Sequence, residues 1–186
     1  SGFSDRVPTS PAMFDLLDLS GRIDHHVGDI RDRDRLAEVI DKVRPEFVFH
    51  LAAQALVLES HNDPVRTFET NAMGMVNLLE CLRERPWVEV AVLVTSDKIY
   101  RNNEWEWGYR EIDVIGGLDP YSGSKGCAEL VAHSYHHSFL HQAPTNSATA
   151  RAGNVIGGGD WAANGIVPDC IRAWSGGETL TVRRPE

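Results

Sequence analysis

Val90-Ala91-Val92-Leu93-Val94-Thr95 runs directly into Ser96-Asp97-Lys98, and this junction decides the fold. The first six residues are apolar or β-branched, the pattern of a strand buried on both faces of a parallel sheet. Polar side chains begin where the strand ends. Downstream, Asp119-Pro120 opens a helix whose first turns carry Tyr121 and Lys125. An i,i+4 spacing puts those two side chains on one helix face. An ammonium beside a phenol favours the phenolate, so the pair can take a proton from an alcohol near neutral pH.

Outward from this centre, strands and helices alternate. Ile23 to Gly28 can form a short strand, and Asp32 to Val43 repeats apolar residues at Leu36, Val39, Ile40 and Val43, a helical rhythm. Glu46 to Ala52 is strand-like. Asp63-Pro64 starts a long helix with a stripe of Val65, Phe68, Ala72, Val76, Leu79 and Leu82. Strand 88–95, helix 120–140 and strand 147–152 follow. This alternation predicts parallel pairing in a layered α/β sheet. Ligands of such sheets bind beyond the carboxyl ends of the strands. Asp29, then Ala52-Ala53-Gln54, then Ser96-Asp97-Lys98, then Gly153-Asn154 fall at those ends, and their convergence marks one candidate site.

Composition narrows the class. The chain has 186 residues and 42% hydrophobic content, enough for one core. Its formal charge of −9 argues against a nucleic-acid surface. No apolar run approaches the ~20 residues that span a bilayer, and the amino terminus lacks signal-peptide character; a cytoplasmic location is expected. Cys81, Cys127 and Cys170 are too scattered for a zinc or dithiol motif. His133, His137 and His141 recur every four residues, but no second ligand motif accompanies them, so they read as a solvated helix face and no metal is expected. The stretch from Arg101 to Pro120 is long for a connection, the mark of a binding loop.

Four segments together carry a resemblance: Thr95-Ser96-Asp97-Lys98-Ile99-Tyr100; the loop Trp105-Glu106-Trp107-Gly108-Tyr109-Arg110-Glu111; Asp119-Pro120-Tyr121-Ser122-Gly123-Ser124-Lys125-Gly126-Cys127-Ala128-Glu129-Leu130; and Arg151-Ala152-Gly153-Asn154-Val155-Ile156-Gly157-Gly158-Gly159-Asp160-Trp161. They resemble the extended short-chain dehydrogenase/reductase family and, within it, the CDP-glucose 4,6-dehydratases. The resemblance implies a Rossmann-like doubly wound parallel sheet, with residues 1–153 an incomplete NAD-binding domain and 154–186 the start of a small nucleotide-sugar-binding region. No GxGxxG or GxxGxxG occurs, and Gly2-Phe3-Ser4 matches the end of the family's second strand. The first βαβ portion, with its phosphate-binding turn, and the carboxyl-terminal part are therefore expected to lie outside this sequence. The fragment by itself is expected to be inactive.

The resemblance also assigns roles. The family converts a nucleotide-linked glucose to its 4-keto-6-deoxy form with tightly held NAD. Tyr121 would remove the C4 hydroxyl proton, Ser96 would hydrogen-bond that oxygen, and Lys125 would lower the tyrosine pKa and contact the nicotinamide ribose. Asp97 would protonate the departing C6 hydroxyl. Lys98 would be the C5 base, which requires a neutral amine, through burial or nearby cations. The cofactor positions are Asp29, Ile30, Leu51, Ala52, Ala53, Gln54, Asn71, Thr95, Tyr121 and Lys125; the substrate positions are Asn154, Gly158, Asp160 and Trp161. CDP-glucose and a homodimer through helices 63–84 and 120–140 are the implied partners. Leu58-Glu59-Ser60-His61 departs from the family pattern of basic residues and a tyrosine. A nucleotide-sugar epimerase, which needs no Asp-Lys pair, and a catalytically silent nucleotide-binding fragment are the competing readings.

Overall fold

The computed structural model describes residues 2–4 and 9–182. They divide into two compact units, one comprising chiefly residues 26–153, the other residues 9–25 together with 154–182. The grouping of residues 9–25 with the carboxyl-terminal segment has no counterpart in the sequence pattern.

Among the described residues, five strands form two sheets rather than one continuous sheet. β1 (Gly2–Ser4) pairs with β2 (His25–Val27), and β3 (Phe47–His50), β4 (Val90–Ser96) and β5 (Asn146–Ala152) lie side by side in that order. All three strands of the larger sheet are parallel, with Val48 opposite Ala91, and Leu93 opposite Thr149.

The helices start where capping chemistry dictates. In α2 (Arg33–Val43) the Asp32 carboxylate accepts the Arg35 amide at 3.0 Å. α4 (Pro64–Phe68) has Asp63 before its proline, and α6 (Pro120–Ser138) has Asp119 before its own; a proline is tolerated there because its missing N–H is one the helix cannot use. The long helix expected from Asp63 is interrupted. Residues Glu69–Met73 form a π turn between α4 and α5 (Gly74–Arg83). A wider turn of this kind rotates a side chain out of the regular helical series, and Asn71 is the one turned inward. Gly74 follows because Ile30 packs against it: an added Cβ would come within 2.8 Å of the Ile30 side chain. Three further α-helices escaped the pattern reading, α1 (Met13–Leu16), α3 (Val57–Asn62) and α7 (Ile166–Gly176), as did a 3₁₀ turn at Leu19–Gly21.

The core lies on one face of the three-stranded sheet. Ala91 and Leu93 point into it with Met75, Leu79 and Leu82 of α5, Ala128 and Ala132 of α6, and Leu36 and Ile40 of α2. Strand β4 therefore departs from burial on both faces: Val90, Val92 and Val94 are only half-buried, and on β3 Phe47 and Phe49 are exposed. Within these residues helices cover one side of the sheet, so the doubly wound arrangement is seen here as its first layer. Among the described residues no helix is long and apolar enough to cross a membrane.

Candidate active site

Strand β4 ends at Ser96, and the chain turns at once through a short 3₁₀ helix, Asp97–Ile99. The Ser96 Oγ accepts the Lys98 amide at 3.2 Å and lies 3.3 Å from Asp97 Oδ1. Ile99 is fully buried and pins the turn, which leaves Asp97 and Lys98 facing outward. Their side chains meet, Nζ to Oδ1, at 3.9 Å. The Lys98 side chain is 42% exposed, so the burial expected of it is not seen.

Helix α6 brings Tyr121 and Lys125 alongside. The Lys125 ammonium is buried and donates to the Val94 carbonyl at 3.1 Å, so the lysine spans helix and strand end. Burial pushes its pKa below the ordinary lysine value, with the Glu129 carboxylate pulling the other way. Beneath it, at the end of β3, His50 is buried; desolvation, with Lys125 adding to it, lowers the imidazole from 6.5 to about 4.

The loop after β3 is held by Asn71. The Gln54 amide donates to Asn71 Oδ1 at 2.8 Å, and Asn71 Nδ2 donates back to the Gln54 carbonyl at 3.0 Å and to Ser124 Oγ at 2.8 Å. Ser124 in turn donates to the Tyr121 carbonyl at 2.7 Å. One buried amide thus ties the Ala52-Ala53-Gln54 turn to the helix that carries Tyr121. The Gln54 side chain is itself committed, to Thr67 Oγ1 and the Leu56 carbonyl. Leu51 is exposed, and Ala52 and Ala53 are half-buried.

At the end of β2, Asp29 accepts from the Arg31 backbone and guanidinium, with a shortest contact of 2.7 Å. The arginine hydrogen bond holds the Asp29 carboxyl below its usual range against the effect of burial. Asp29, Arg31, Asp32, Glu69, Met73 and Asn77 line a cavity of about 560 Å³; Ile30 is buried behind it against Gly74. Thr95 faces the other way, with its hydroxyl bonded to Glu129. A larger cavity, about 980 Å³, opens beside Asp97 and Lys98 and is bounded by Tyr100, Tyr109, Asp119 and Arg151.

Asn154, Gly158, Asp160 and Trp161 belong to the second compact unit. Gly159 adopts φ +80° and lies against Met13, where a Cβ would come within 2.5 Å, so only glycine fits. Asn154 and Gly158 are exposed, Asp160 accepts the Ala162 amide at 2.9 Å, and the indole N–H of Trp161 is buried without a protein acceptor. The histidines on α6 form ring contacts, His133 to His137 at 4.4 Å; among the described residues no cluster of three or more His, Cys, Asp or Glu could hold a metal ion. The sequence reading gave Glu129 no role. Its signal was available: it extends the Tyr121, Lys125 series by another four residues.

Residues 12–153 match the sequence profile of the GDP-mannose 4,6 dehydratase family. The chain belongs to that family. Among its relatives, the CDP-glucose 4,6-dehydratase of Salmonella typhimurium is 45% identical over 99% of this chain and 53% of its own length. The chain spans about half the length of the curated relatives it matches. A dTDP-glucose 4,6-dehydratase from Streptomyces venezuelae, solved with NAD bound, superposes with a TM-score of 0.77 at 25% identity, covering 89% of this chain and 49% of that one. A UDP-glucose 4-epimerase from Thermotoga maritima gives a TM-score of 0.84 at 23% identity over 98% of this chain and 57% of that one, a likeness in fold. Dehydratases and epimerases thus share the Rossmann-like scaffold seen here.

Proposed function

We propose that the protein containing this chain is a nucleotide-sugar 4,6-dehydratase acting on CDP-glucose with NAD. The observation that carries the reading is the pairing of Asp97 with Lys98, 3.9 Å apart at the end of β4, beside the helix bearing Tyr121 and Lys125. Oxidation alone needs the tyrosine and lysine; removal of water needs an acid and a base in addition.

The residues present fit two ends of NAD. The cavity at Asp29 offers carboxylate acceptors and the apolar Met73 wall that an adenosine needs, and Lys125 and Tyr121 suit the nicotinamide ribose. When bound, NAD supplies a reversible hydride acceptor. Tyr121 removes the C4 hydroxyl proton, Ser96 Oγ bonds the same oxygen, and the buried Lys125 favours the phenolate electrostatically. The resulting ketone acidifies the C5 proton. Asp97 must then be protonated and Lys98 neutral. Lys98 then takes the C5 proton while Asp97 protonates the C6 oxygen as it leaves.

Exposed Val65 on α4 and Leu130 on α6 support a homodimer through these helices. A cytoplasmic location agrees with three free cysteines. The reading is tested by incubating the whole protein with NAD and CDP-glucose and following the sugar by NMR. A 4-keto-6-deoxy product is expected. A C4 epimer formed without loss of water would favour the epimerase reading instead.

A further inference from the structure

One carboxylate outside the Tyr-Lys pair is built into the site more tightly than any other. Glu129 is 5% exposed and lies two turns beyond Tyr121 and one beyond Lys125 on α6. Its Oε1 accepts from Thr95 Oγ1 and from Arg151 Nε at 3.0 Å; its Oε2 accepts from Arg151 Nη2 at 3.1 Å and Thr149 Oγ1 at 3.2 Å. Arg151 has a free side left, and it is used. Nη1 donates to the Tyr100 hydroxyl at 2.8 Å and to the Glu111 carbonyl at 3.0 Å, and the guanidinium lies over the Tyr100 ring, 5.1 Å from its centre. Tyr100 stacks on Tyr109 at 4.9 Å, and Trp105 packs on Tyr109 at 5.2 Å.

Thr95 and Tyr100 flank the turn that presents Ser96, Asp97 and Lys98. The carboxylate grips one end directly and, through the guanidinium, grips the other. We propose that Glu129 and Arg151 are positioning residues, a single ion pair with its carboxylate buried and its guanidinium half-buried that clamps both ends of the 96–99 turn and the 101–117 loop onto the helix carrying Tyr121. Neither touches the reacting atoms. An ion pair removed from water does this better than an apolar contact, because bidentate geometry fixes direction as well as distance. Burial alone would push the Glu129 carboxyl up; the hydrogen bonds from Arg151, Thr95 and Thr149 outweigh it and hold the group ionised. For the chemistry, the consequence rests on the dehydratase reading. Elimination depends on Asp97 and Lys98, both on the clamped turn, whereas the first oxidation depends chiefly on Tyr121 and Lys125 of the helix and takes only the Ser96 hydrogen bond from the turn.

Two readouts test the clamp in the whole protein, using Glu129→Gln, Arg151→Lys and the milder Tyr100→Phe. The first is amide hydrogen exchange. Glu129→Gln and Arg151→Lys are expected to raise exchange tenfold or more across residues 97–111 while residues 78–82 of α5 stay within twofold. Should either variant fail to fold, Tyr100→Phe, which deletes only the hydroxyl acceptor, is expected to raise exchange severalfold over the same stretch. Unchanged exchange at 97–111 in the folded variants overturns the proposal. The second readout compares reduction of bound NAD with product formation from CDP-glucose. Arg151→Lys should lose product at least tenfold with NAD reduction within threefold, and equal loss of both per folded molecule contradicts a positioning role. If the parent enzyme itself dehydrates no nucleotide sugar, the dehydratase reading falls, and the exchange data still decide the clamp.

Discussion

Acidification tests the environment beneath the site. His50 is buried at the end of β3, and burial together with the Lys125 charge lowers its pKa from 6.5 to about 4. The native protein therefore keeps the imidazole neutral over a range in which the unfolded chain binds a proton there. Stability from this group is fully present above pH 6.5, declines as the pH falls and levels off below about 4. At about 1.4 kcal/mol for each pH unit, the interval from 6.5 to about 4 corresponds to about 3 kcal/mol. Urea unfolding at pH 7 and at pH 4, on the parent and on His50→Leu, isolates the term. Carboxylates such as Asp29 and Glu129 titrate in both proteins and cancel in the comparison. The parent should lose about 3 kcal/mol more than the variant between the two pH values. Lys125→Met should narrow that gap, because the repelling ammonium is gone. Parallel stability curves for parent and His50→Leu would refute a neutral buried imidazole.

Further outcomes follow from the hydrogen bonding and packing. Asn71→Leu removes the amide that joins the Gln54 backbone to Ser124 and leaves buried partners unsatisfied; a loss of about 1–3 kcal/mol in chemical denaturation is expected, with weakened NAD binding by calorimetry. Leu79→Ala empties a fully buried position in the core and should cost about 2–5 kcal/mol without altering the ratio of oxidation to elimination. Tyr121→Phe should cut turnover by a factor on the order of 10² or more, with the ligands still bound; turnover within a few-fold of the parent would move the proton acceptor elsewhere.

Much of the fold was legible where capping and periodicity agree. Asp32, Asp63 and Asp119 announced their helices to within a residue, and the apolar run 90–95 announced the central strand. The π turn at 69–73 was not legible, because a single inserted residue hardly disturbs an apolar stripe. The exposed side of β3 was equally hidden: Phe47 and Phe49 read as core in any strand pattern, and their exposure depends on what packs there. At the site, the residue types at strand ends could be read, but their commitments could not. Thr95 turns to Glu129, Asp29 is taken by Arg31, and Lys98 stands exposed beside Asp97. The choice at Thr95 is made by a partner 34 residues away in sequence, of which a local pattern carries no record, while Asp29 and Lys98 have near neighbours in Arg31 and Asp97 whose side-chain directions the residue types alone do not set.

The most direct test of elimination by Asp97 and Lys98 is Lys98→Met in the whole protein, with NADH absorbance, product and C5 exchange from deuterated solvent measured together. Loss of the base should leave substrate able to reduce bound NAD, so NADH should accumulate while 4-keto-6-deoxy product and C5 exchange both disappear. Normal exchange with normal product would contradict the account and leave Lys98 as an electrostatic neighbour of Asp97.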